Sequence, residues 1–165
     1  AAVPGQSIII RSDDSAIRTV FTISGNDCSI RGIAFEDTNP SPTGVVARGF
    51  SVSATGDRFT LSDCVFTSCR QAISVSGNNA SIRNNRIVAV DETALAISIS
   101  GTASFASVHG NIIEDATLTD SIYAQDGVTK SSFVGNVCAA SSAISYKTGL
   151  NNADAGNVGT VTVRP

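Results

Sequence analysis

Tryptophan and methionine are absent from this chain of 165 residues, histidine occurs once, and charged side chains make up only 15%. Seven phenylalanines and two tyrosines are the whole aromatic complement. The formal net charge of −3 argues against a general nucleic-acid binder, which needs a basic face to neutralise phosphates. Long apolar runs are missing as well. Ile8 to Ile10 falls far short of a signal-peptide core, and nothing approaches the ~20 apolar residues of a membrane-spanning helix. No membrane insertion is therefore expected. Without a methionine, Ala1 follows either a removed initiator or a longer preceding chain, and both remain open. What is abundant is Ser, Thr, Asn, Gly, Val and Ile, which suits β-structure with many turns. A 42% hydrophobic content with little charge separates the chain from disordered sequences.

A repeat organises the sequence. Six segments share one pattern: Ile30 to Phe35, Leu61 to Phe66, Ile82 to Ile87, Val108 to Ile113, Phe133 to Cys138 and Val158 to Val163. Each begins with an apolar anchor, carries Gly, Asp, Asn or Thr two residues on, and has another apolar residue five on. A shorter motif precedes each: Phe21-x-Ile23, Phe50-x-Val52, Ile73-x-Val75, Ile97-x-Ile99, Ile122-x-Ala124 and Ile144-x-Tyr146. Short strands recurring this often leave no room for crossover helices. They describe a parallel solenoid, whose coils bury their apolar faces only by stacking at about 4.8 Å. Ile8 to Ile10 reads as the strand of one earlier coil. The stretch from Glu36 to Gly49, with its Asn39-Pro40-Ser41-Pro42, reads as a loop projecting from the wall.

Asn85, Asn111 and Asn136 each stand three residues after an anchor. In successive coils they predict an internal ladder that satisfies amides otherwise unpaired in the core. The segments built on Ile82, Asn85 and Ile87, and on Val108, Asn111 and Ile113, resemble the right-handed β-helices of the pectin-lyase-like superfamily. That superfamily includes polysaccharide lyases, polygalacturonases and many phage tailspikes. The expected fold class is thus all-β, a single-stranded right-handed parallel β-helix of about six to seven coils, forming one domain over residues 1–165. The resemblance is to a fold, and fold-level analogy guides function weakly.

A glycosidase needs two carboxylates about 5 Å apart, or roughly 6.5–9.5 Å apart when a water lies between them. Glu36 and Glu114 share a column but stand three coils apart, on the order of 14 Å at the strand spacing. Asp91 and Glu92 follow one repeat, and Glu114 and Asp115 occupy a similar stretch of the next. They are the candidate catalytic acids, weighed against solvated turns. The polygalacturonase signatures Asn-Thr-Asp, Gly-His-Gly and Arg-Ile-Lys do not occur. No metal-ligand spacing or cofactor fingerprint is found, so no metal and no cofactor are expected. Tyr123, pointing outward by alternation, is the candidate aromatic platform for a sugar ring. Cys28, Cys64, Cys69 and Cys138 fall at different repeat positions and are read as buried, reduced thiols.

The residue four after each anchor lies between two inward positions and should face outward. Down the stack this column reads Ala34, Val65, Arg86, Ile112, Val137 and Thr162. Ala34, Val65, Ile112 and Val137 are therefore the candidate oligomer interface, and the resemblance implies three-fold closure. The leading expectation is a structural or host-attachment module of a phage virion (tailspike, tail fibre or head decoration), a homotrimer contacting other virion proteins and host-surface polysaccharide. The alternative is a polysaccharide-degrading hydrolase or lyase, and a secreted adhesin passenger stands third.

Overall fold

The computed structural model describes residues 8–12, 21–37, 50–67, 71–88, 95–101, 103–114, 120–139, 144–147 and 151–165. Every regular element among them is a strand, numbered β1 to β19 along the chain. The first sheet runs β1 (Ile8–Ser12), β4 (Ile33–Asp37), β7 (Val65–Thr67), β10 (Arg86–Ile87), β13 (Ile112–Ile113) and β16 (Val137–Cys138). The second holds β2 (Phe21–Ile23), β5 (Phe50–Ala54), β8 (Gln71–Val75), β11 (Leu95–Ile99), β14 (Asp120–Ala124), β17 (Ile144–Lys147) and β19 (Val161–Arg164). The third holds β3 (Ser29–Arg31), β6 (Thr60–Ser62), β9 (Ser81–Arg83), β12 (Ser107–His109), β15 (Ser132–Val134) and β18 (Ala153–Ala155). All pairings are parallel, each strand from β1 to β15 pairs with the third one after it, and β17 pairs with β19. This is an all-β parallel β-helix.

Strand alternation builds the core. In the third sheet Leu61, Ile82, Val108 and Phe133 stack in register and are completely buried, while their neighbours face outward. In the second sheet Val52, Ile73, Ile97, Ile122 and Ile144 stack likewise. Phe66, Ile87, Ile113 and Cys138 close the first sheet's inner face. Aromatic rings stack in the core: Phe35 and Phe66, in register along the first sheet, are parallel at 4.8 Å, and Phe133 of the third sheet meets Tyr146 of the second at 5.8 Å. Each buried Ile or Phe contributes roughly 1.5–3 kcal/mol relative to exposure.

The corner between the third and first sheets explains the residue type two after each anchor. Gly32, Asp63, Asn84, Gly110, Gly135 and Gly156 all have φ between +54° and +67°. That left-handed conformation is open to Gly and tolerated by Asn and Asp. The next residue then turns inward, which is how Asn85, Asn111 and Asn136 reach the core.

Two registers differ from the sequence reading. The last anchor is Asp154, not Val158: Phe133 pairs with Asp154, Val158 bridges to Val137, and Val161 to Arg164 belong to the second sheet. An anchor search keyed to apolar residues passes over an aspartate. Asp154 fills an inward register position yet is exposed; among the described residues β18 has a strand of the third sheet, β15, on one side only. Tyr146 donates a hydrogen bond to its Oδ1 at 2.5 Å. That bond and burial push the Tyr146 phenol up to about 12. In the second sheet, Phe21 pairs with Val52 rather than Phe50, since β5 begins one pleat earlier than its motif suggested and Phe50 lies opposite Gln71. Glu36 and Asp37 belong to β4; the rest of the expected loop lies outside the described residues.

Candidate functional site

The asparagine column is the polar spine of the core. Asn85, Asn111 and Asn136 are at most 1% exposed. Asn111 Oδ1 accepts from the backbone N–H and the Nδ2 of Asn85, both at 3.0 Å. Its own Nδ2 donates to Asn136 Oδ1 and to the Ile82 carbonyl, again at 3.0 Å. Asn136 repeats the pattern with Asn157. Cys64, at the same offset on the other side, donates its N–H to Asn85 Oδ1 at 3.0 Å. Asn157 is thus a fourth rung that the misplaced last anchor concealed; three residues after Asp154 it follows the same rule. These amides are saturated by one another and by backbone, so the column is structural.

The candidate acids separate differently. Glu114 is on the surface, held by two hydrogen bonds from Arg86, at 2.9 and 3.1 Å. Asp91, Glu92 and Asp115 lie outside the described residues. Other carboxylates are likewise spent between coils: Asp63 on Arg31 at 2.9 Å, and Asp126 on Arg164 at 3.1 Å and Lys147 at 3.6 Å. Arg58 grips Asp27 through two nitrogens and holds that carboxyl below the usual carboxylate range. Such exposed pairs contribute little stability each, but an acid so engaged is a poor base. Among the described residues no group of three or more His, Cys, Asp or Glu side chains could hold a metal ion. His109 faces outward and its Nε2 meets Ser132 Oγ at 3.0 Å.

Tyr123 stands in an outward column of hydroxyls, between Ser98 and Ser145. Its ring face is not open. The Arg164 guanidinium lies 4.4 Å from the ring centroid and donates to its hydroxyl at 2.7 Å. A second Arg164 nitrogen donates to the Ala124 carbonyl. Arg164, contributed by the last strand, was invisible as a partner because it stands 41 residues away in sequence. Among the described residues the most exposed phenylalanine is Phe105, 52% accessible at the corner between the second and third sheets, ahead of Phe21 at 36%.

The first sheet's outer column is Ala34, Val65, Arg86, Ile112 and Val137, as alternation requires, and it continues to Val158 rather than Thr162. Ile112 and Val137 are each 42% exposed and Val158 60%, against partly buried Ala34 and Val65. The apolar character therefore strengthens towards the C-terminal coils. The Arg86–Glu114 pair interrupts it from within the same face.

Three cysteines are described, all free: Cys64 and Cys138 are buried, while Cys28 is only partly so. Cys69 lies outside the described residues. The partial exposure of Cys28 corrects the expectation of uniform burial; it precedes β3, which among the described strands has β6 on one side only. Burial pushes the Cys138 thiol up to about 11 and raises Cys64 as well. Neither forms the reactive thiolate at neutral pH. With a maleimide at pH 7, Cys28 should be labelled first, and Cys64 and Cys138 only after denaturation. Peptide mass mapping of the native and unfolded chain checks this; early labelling of Cys138 would contradict its placement.

No protein-family model matches the chain, and neither a curated protein nor a solved structure matches it significantly. Among the described residues, no helix is long and apolar enough to cross a membrane.

Proposed function

We propose that this chain is a structural and host-attachment β-helix module of a phage virion, of the tailspike, tail-fibre or head-decoration kind, assembled as a homotrimer. The observation that carries the assembly is the outer column of the first sheet. Ile112, Val137 and Val158 present apolar side chains on a parallel sheet, where water favours polar ones. Second copies bearing the same column are the natural cover, and cyclic closure lets each copy use the same face. Arg86 and Glu114 neutralise one another within that face, so it can dry without leaving an unpaired charge. The virion setting rests on the resemblance of the repeat to phage β-helices. It is supported by carboxylates engaged in ion pairs that tie coil to coil. Other virion proteins and host-surface polysaccharide are the partners this reading implies.

Light scattering should give three times the 16.9 kDa chain mass. Ile112→Asp and Val137→Asp should each shift the protein to monomer while leaving the β-rich circular dichroism unchanged. A wild-type chain that stays monomeric at high concentration would reject assembly through this face. Release of reducing ends from a polysaccharide panel would replace the module by a hydrolase or lyase.

A further inference from the structure

The corner between the second and third sheets carries a column three residues before each anchor: Asp27, Arg58, Asn79, Phe105, Lys130 and Asn151. All six have φ between +54° and +59°. Backbone hydrogen bonds tie the turns together, Arg58 N–H to the Asn78 carbonyl, Asn79 N–H to that of Ser104, and Phe105 N–H to that of Thr129. Asp and Asn are the side chains this left-handed conformation accepts, and Asp27, Asn79 and Asn151 obey that rule. Phe105 does not. An aromatic residue there is conformationally disfavoured, and at 52% exposure little hydrophobic gain offsets it. The ammonium of Lys130, 5.2 Å from the ring centroid, is a modest compensation at an exposed site. A side chain held against its backbone preference on the surface points to a use outside folding.

The surroundings say what use. The ring is flanked along the stack by exposed Asn79 and Lys130, and Ser104 and Thr129 meet through their hydroxyls at 2.9 Å beside it. The Lys130 ammonium lies over one side of the ring; a pyranose fits a ring so placed, its C–H face covering the other side while its hydroxyls take the neighbouring amide and ammonium donors. The rest of the column is polar or charged, so a protein interface of about 800 Å² per partner would find one apolar side chain of the column to bury here. The chain's net negative charge disfavours a nucleic-acid strand. We propose that Phe105 is the stacking platform of a saccharide-binding subsite on this ridge, with Asn79 and Lys130 as its polar edges. The inference rests on the polysaccharide partner suggested above and gives that partner a place.

The test is titration of the whole chain with a neutral probe, cellohexaose, and an acidic one, hexagalacturonate, followed by aromatic NMR resonances and calorimetry. Phe105 signals should move with at least one probe. Phe105→Asn should lower affinity tenfold or more while holding or raising the melting temperature, and Phe105→Tyr should keep binding. Lys130→Gln should weaken the acidic hexamer several-fold more than the neutral one, should that probe be the ligand. Absence of any Phe105 shift overturns the subsite, as does Phe105→Asn binding within twofold of wild type. A melting temperature several degrees lower in Phe105→Asn would make the ring a packing element and overturn it too. None of these failures touches the trimer, which light scattering judges separately.

Discussion

Asn111→Ala should cost the fold about 3–5 kcal/mol, read as a shift of the denaturant midpoint at unchanged slope. The magnitude comes from what the alanine strands. Asn85 loses the acceptor of both its backbone N–H and one Nδ2 hydrogen, in a core where Asn85 is 1% exposed. The Ile82 carbonyl loses a donor at the same time. Each buried donor left without a partner costs roughly 1–3 kcal/mol, and a methyl group cannot fill the space the amide leaves. Asn157→Ala is the internal comparison. It removes the same two acceptor bonds, now to Asn136, but Asn157 is only partly buried and water can take its place. That variant should lose about 1 kcal/mol. Equal losses at the two positions would mean that burial of the ladder is not what makes it costly to break.

The sequence made the period and the stacking legible because both follow from where apolar residues recur. Ile82, Val108 and Phe133 share a register that strand alternation alone demands, and the common offset of Asn85, Asn111 and Asn136 places them in one column. The outer column through Val65, Ile112 and Val137 is readable for the same reason. Where an anchor is polar, the pattern misleads. Asp154 occupies an apolar residue's place in β18, the edge strand of the third sheet among the described residues, and the error propagated to Val158, Asn157 and Thr162. Backbone sign was also hidden. Nothing in residue identity alone marks Phe105 as left-handed, since phenylalanine is the wrong residue for it; only its alignment with Asn79 and Asn151 three before an anchor reveals the conformation. The cover over Tyr123 needed the position of Arg164 in three dimensions. Of the acids expected to form a pair only Glu114 is among the described residues, and its partner, Arg86 of the preceding coil, is found through the stacking of the coils.

Gly77→Ala should be comparably damaging, costing upwards of about 3 kcal/mol and lowering the yield of folded chain. The corner after the second sheet stacks Gly25, Gly56 and Gly77 backbone on backbone. A Cβ at Gly77 would stand 2.0 Å from the Gly56 carbonyl oxygen and 2.5 Å from its carbon. At Gly56 it would stand 2.1 Å from the Gly25 oxygen. These obstacles are main chain, so no rotamer change relieves them. The turns must separate, and the nearby bonds from Arg58 N–H to the Asn78 carbonyl and from Asn78 N–H to Asp57 Oδ1, each 2.8 Å, stretch with them. Gly25 provides the contrast. Its added Cβ would meet only the Cys28 sulfur, at 3.2 Å, a side chain that can shift by a few tenths of an ångström. Gly25→Ala should therefore cost well under half as much. Gly135 tests a different cause: nothing lies within 4 Å of its Cβ, but φ is +64°. Gly135→Ala should lose about 1–2 kcal/mol through conformation alone, and Gly135→Asn should recover part of it. Thermal melts of the four variants would rank Gly77→Ala lowest. If Gly77→Ala and Gly25→Ala melt together, the close stacking of the glycine turns does not limit this solenoid.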